Sequence, residues 1–176
     1  MLKFCKIKCS DNKSFFWFLV FKGYIVRKFL VVLDDSAECL NAMRFAAMRA
    51  ANTGGGVEVL AIIRPEEFNH WIGVGDLMRE EAREQINTHF EEFAEWMRVQ
   101  QNIEPELVIR EGEPIPEIIS QVTEDPEVGV LVLGAGTGSD GPGPLVSALT
   151  RMASSIPVPV TIISGDMTEE RRKAVS

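Results

Sequence analysis

Residues 28–43 read KFLVVLDDSAECLNAM, and the pattern changes inside them from a strand to a helix. Lys28–Leu33 is an apolar run behind one lysine, as expected for a strand covered on both faces. Asp34, Asp35 and Ser36 then supply turn and N-cap chemistry, because a serine hydroxyl accepts a backbone N–H that the first helical turn leaves unpaired. Ser36 therefore opens a helix whose apolar positions include Leu40, Met43, Ala47 and Ala50. It ends at NTGGG (52–56), where glycine takes positive φ at little cost.

Working outward, the same alternation recurs. VEVLAII (57–63) predicts a second buried strand, and a loop from Arg64 to Asp76 holds Pro65, His70 and Trp71. A long helix follows over about 77–101, with Ala82, Ile86, Phe90, Phe93 and Met97 forming one apolar stripe. Its many glutamates make a solvated face. ELVIREG (106–112) is a third strand, Pro114–Glu124 a helix with Ile115, Ile118, Ile119 and Val122 inward, and VGVLVLG (128–134) a fourth strand. A helix over about 145–155 leads to VPVTII (158–163), a fifth strand. Pro157 and Pro159 cannot donate to a ladder and place that strand at or near an edge. The polar tail after Gly165 is expected to fray.

Five strands separated by four helices predict an α/β doubly wound, open parallel sheet with helices on both faces. Ligands in such folds favour the carboxyl ends of the strands, at the point where the winding reverses. If the first and fourth strands are neighbours, Asp34 and Gly134 face one crevice.

Charge narrows the function classes. The chain of 176 residues carries a net −8, but six of its seven lysines lie in the first 28 residues with Arg27 beside them. The body is acidic and keeps no basic stripe, which argues against a nucleic-acid binder. Residues 1–26 read as an atypical basic and aromatic extension, 27–165 as the domain, and 166–176 as a polar tail. FFWFLVF (15–21) is too short to span a membrane and lacks the small-residue cleavage site of a signal peptide. Cys5, Cys9 and Cys39 form no CxxC pair and have no histidine near, so a reduced, cytoplasmic setting is expected.

The glycine-rich loop between the fourth strand and the next helix, GAGTGSDGPG (134–143), contains a literal GxGxxG in GTGSDG. The dinucleotide-binding version opens the first strand–helix unit, whereas this one closes the domain, with a single strand after it. The loop instead belongs to a wider pattern. VVLDDS at the first strand end, REGEPIPEII before the third helix, VLVLGAGTG and PVPVTII together resemble the universal stress protein (UspA-domain) family over Lys28–Ser164. The resemblance implies a parallel sheet of order 3-2-1-4-5, commonly a homodimer, and in many members ATP held between the first and fourth strand ends. The family's G-x2-G-x9-G-[S/T] motif places its first glycine on Gly134, its second on Thr137, and its last pair on Ser147 and Ala148. Thr137 and Ala148 depart from it. Were positive φ needed at Thr137, the threonine would cost about 1–2 kcal/mol. Gly136, Gly138, Gly141 and Gly143 offer another anion nest in compensation. Asp34 and Ser36 match the family's first loop, where the acid lies near the adenosine. Their plain structural role is to cap the helix.

These residues predict a regulatory domain, dimeric through the last strand (159–163), with an ATP or other adenine-nucleotide site made by Asp34, Ser36, Gly134, Gly136, Thr137, Gly138, Ser147 and Ala148. The alternatives are a nucleotide-free dimerisation or interaction module of the same fold and, third, a nucleotide-hydrolysing enzyme. No metal set is legible from two histidines, and GxSxG is absent, so no hydrolase triad can be assembled. Trp71 stands where a loop residue would overhang the crevice.

Overall fold

In the computed structural model, residues 27–34, 36–64, 75–139 and 141–176 are described. The extension 1–26, with Cys5 and Cys9, lies outside them, as do His70 and Trp71. The chain runs β1 (Lys28–Val32), α1 (Ala37–Thr53), β2 (Gly56–Ile63), α2 (Gly75–Gln101), β3 (Glu106–Glu111), α3 (Pro114–Glu124), β4 (Val128–Ala135), α4 (Pro144–Arg151), a short 3-10 turn, β5 (Val160–Ser164) and α5 (Glu169–Val175).

The strands form one parallel sheet of order β3-β2-β1-β4-β5. Side-chain alternation along β1 feeds two cores, one per face. Phe29 and Val31 pack with Met43, Ala47, Val59, Phe90 and Met97 beneath α1 and α2. Leu30 and Val32 pack with Leu60, Ile118, Leu131 and Leu149 beneath α3 and α4. This double coverage is why the strands read as continuous apolar runs. The β1–β4 register slips at Lys28–Phe29, where Gly129 is the additional residue.

The ends of α1 follow the expected chemistry. Ser36 Oγ accepts the Cys39 N–H at 3.2 Å, and Gly54 closes the helix in the left-handed region at φ 67°. The stripe on α2 is buried only in its second half, at Phe90, Ala94 and Met97, while Ala82 and Ile86 stay half-exposed. No helix among the described residues is long and apolar enough to cross a membrane.

Two features depart from the sequence reading. The tail folds as a helix, α5, over Glu169–Val175. Thr168 caps α5 by accepting the Arg171 N–H at 3.3 Å, and the acidic first turn and basic last turn suit the helix dipole. Arg172, only 5% exposed, donates to Asn41 Oδ1, and Asn41 Nδ2 donates to the Gly165 carbonyl at 2.6 Å. Composition called the tail polar; a single buried arginine anchors it.

The second feature is a polar hub at the amino ends of the strands. Lys28 Nζ reaches Glu106 at 2.8 Å, Asp125 at 3.0 Å, Glu127 at 3.1 Å and Glu58 at 3.5 Å. Burial works against its ammonium, but the surrounding carboxylates outweigh it and hold the lysine above its ordinary range. Glu58 is 1% exposed, accepts from Gln121 Nε2 at 2.7 Å, and is pushed up by burial.

Candidate functional site

At the carboxyl ends of the strands lies a cavity of about 700 Å³, within the usual range for small-molecule sites. It sits where α1 leaves β1 on one face of the sheet and α4 leaves β4 on the other. Its apolar wall includes Val32, Ile62, Ile115, Leu145 and Val146. Asp34, Ser36, Gly134 and Ala148 line it together, so these expected site residues share one space. Gly136, Thr137, Gly138 and Ser147 lie outside its wall, and Thr137 and Gly138 are exposed.

Asp34 Oδ1 accepts the Ser36 N–H at 2.9 Å and also the Ser36 hydroxyl, while that hydroxyl caps α1. The pair therefore builds the turn that brings Asp34 to the cavity edge. Gly134 has a packing reason to be glycine. A Cβ built there would stand 2.5 Å from the carbonyl carbon of Glu38, because the first turn of α1 crosses the end of β4 at backbone contact.

The strain argument at Thr137 does not hold. Asn102 is the only non-glycine residue with positive φ among the described residues, so a threonine at 137 meets no left-handed penalty. Positive φ is needed later in the loop, at Gly141 (87°) and Gly143 (95°). The loop also folds onto itself. The Gly136 N–H donates to the Pro142 carbonyl and the Gly141 N–H to the Gly138 carbonyl, both at 3.3 Å. Two donors of the expected anion nest are thus engaged internally.

Helix starts supply few donors in their place. Pro144 occupies the first position of α4, which leaves the N–H groups of Leu145 and Val146. Pro114 and Pro116 reduce the α3 start to the Ile115 N–H. Among the described residues, charge on the cavity lining is three carboxylates, Asp34, Glu38 and Glu113, against one guanidinium, Arg64. Sequence reasoning missed Arg64 and Glu113. Both follow strand ends, at the close of β2 and β3, and the carboxyl-end rule would have pointed to them had it been applied to every strand.

The family model described as the universal stress protein family matches residues 26–164. No curated protein sequence matches the chain. Among solved structures, universal stress protein UspA from Lactobacillus plantarum is similar, with a TM-score of 0.64 at 18% identity over 78% of this chain and 97% of that one. A protein of the universal stress protein family from Burkholderia pseudomallei gives a TM-score of 0.60 at 15% identity, covering 80% and 98%. A universal stress protein in complex with cAMP gives 0.57 at 16% identity, covering 78% and 96%. At such identities the likeness is one of fold.

Proposed function

The chain belongs to the universal stress protein family, and we propose that it is a regulatory domain that binds an adenine nucleotide by its adenosine end. The ligand lies in the cavity at the β1 and β4 ends, and the domain works as a homodimer paired through residues 159–163. The observation that carries the reading is the cavity itself: apolar-walled, of ligand size, at the winding reversal, with Asp34 at its edge. A flat base suits the aliphatic wall. The ribose hydroxyls meet Asp34 Oδ2, since Oδ1 is engaged by Ser36. At the α4 start the phosphate end finds the Leu145 and Val146 N–H groups in place of a full turn of donors, so it contributes little. One solved member of the family was captured with cAMP, a ligand with a single phosphate, which is in keeping with this reading.

The test is calorimetric titration of the full chain with adenosine, AMP, cAMP and ATP. At least one should bind, and Asp34→Asn should weaken it about tenfold through the lost charged acceptor. Absence of binding by all four, with no nucleotide carried through purification, would sink the proposal. The second reading, a nucleotide-free interaction module, draws on the loop's engagement of its own N–H groups and would then take over.

A further inference from the structure

The glycine loop already has an anion beside it. Glu38 stands in the first turn of α1 and lines the cavity. A Cβ built on Gly136 would lie 3.0 Å from Glu38 Oε1, and one on Gly165 would lie 3.1 Å from Glu38 Cβ. Those two glycines leave the room in which the Glu38 side chain runs. Gly136 thus borders a carboxylate of the chain itself as well as the Gly141 carbonyl, which would stand 3.2 Å from the same Cβ.

Resting on the adenine site proposed above, we infer that Glu38 is a resident anion that closes the approach to the loop and sets ligand class. The cavity takes adenine ligands with no phosphate or one, and rejects polyphosphates. Three observations converge on this. The Glu38 carboxylate lines the cavity and lies beside the loop, with Oε1 3.0 Å from where a Cβ on Gly136 would stand. Among the described residues the lining carries the carboxylates of Asp34, Glu38 and Glu113 and the guanidinium of Arg64. Prolines at the starts of α3 and α4 remove N–H donors that would offset a phosphate's charge. Ligand charge is thus met by like charge in a partly enclosed space, where repulsion is stronger than in water.

The experiment titrates adenosine, AMP and ATP into the full chain, into Glu38→Gln, and into Glu92→Gln, which makes the same charge change on the exposed face of α2. Each series is run in EDTA and again with Mg²⁺. For the unaltered chain, adenosine should bind about tenfold tighter than ATP. Glu38→Gln should raise the ratio of ATP to adenosine affinity about tenfold, and Glu92→Gln should leave that ratio within about twofold. Raising salt from about 0.05 to 0.5 M should narrow the gap on the unaltered chain, a test that needs no variant. ATP binding as tightly as adenosine in either buffer overturns the inference and leaves the adenine site standing, as does an equal response of the two variants. Failure of every adenine ligand to bind overturns both.

Discussion

At single residues, the loop separates packing from chemistry. Gly134 and Gly138 look alike in the sequence, yet a Cβ at 134 would collide with the Glu38 backbone, whereas one at 138 meets nothing within 4 Å. Gly134→Ala should therefore destabilise by about 2–3 kcal/mol, because the obstacle is helix backbone and cannot swing aside. Gly138→Ala should stay within about 0.5 kcal/mol of the unaltered chain. Urea unfolding of the two variants decides it, and equal midpoints would show that the α1–β4 approach is looser than described. Glu58 supplies a second test at this scale. Burial raises its pKa above the ordinary carboxylate range, so the folded state holds its proton at a pH where the unfolded chain has released it. Its contribution to stability is full below about pH 4.5 and is lost as pH rises through the folded value, with a slope of at most about 1.4 kcal/mol per pH unit. Asp125 is lowered despite its burial, by the Glu127 N–H and Lys28 among others, and so has the opposite sign, losing its contribution as acid is added. Glu58→Gln has no proton to release, so its stability relative to the unaltered chain should climb as pH rises above 4.5. A difference flat across that window would refute the raised carboxyl.

At the scale of elements, the sheet and four of its helices were legible because the strands are separate apolar runs, α1 has a serine cap, α3 and α4 open on proline, and α2 carries a long apolar stripe. β5 starts only at Val160, because Pro159 has no N–H to give a ladder, although its carbonyl accepts the Leu131 N–H at 2.9 Å. What stayed hidden depends on residues far apart in the chain. The Lys28 hub joins positions 28, 58, 106, 125 and 127, which no local pattern links. The backbone conformation at Thr137 is likewise not legible, because a motif records spacing and not φ. The docking of α5 rests on Asn41 and Arg172, which are 131 residues apart. That helix makes a test. Arg172 is buried against Asn41 and the Met167 carbonyl, and burial, with the charge of Arg44 nearby, lowers its pKa. Replacing it leaves Asn41 short of a donor. Arg172→Ala should abolish amide-exchange protection across 169–175 and cost about 1–3 kcal/mol, whereas Arg171→Ala, on the exposed side, should do neither. Identical exchange in both variants would mean that α5 is held by something other than its arginine.

At the scale of the whole molecule, the two edges of the sheet are not equivalent. The β3 edge carries Glu106, Arg110 and Glu111, and Arg79 and Arg83 of α2 ion-pair with Glu111 there. Charges of this kind discourage a second sheet from pairing. The β5 edge, Val160–Ser164, has no charge, and its Ile162 is 41% exposed. An uncharged edge strand with open N–H and C=O groups invites its own copy. A two-fold axis beside it would pair the two β5 strands antiparallel and continue the sheet across both subunits. The proposed dimer therefore belongs at β5, with the adenine cavities of the two subunits at strand ends that point in opposite directions. Sedimentation at micromolar concentration should report a mass twice the 19.6 kDa of the chain. Ile162→Lys should shift it to monomer by placing an ammonium in the new ladder's apolar face. Val99→Lys is the control, since Val99 is 66% exposed on α2, a helix that packs on α1 and β2, and it should leave the mass unchanged. The net charge of −8 adds a further sign: two like-charged chains associate more tightly as salt rises. A monomer at every concentration and salt, or dissociation by Val99→Lys as readily as by Ile162→Lys, would remove β5 from the assembly.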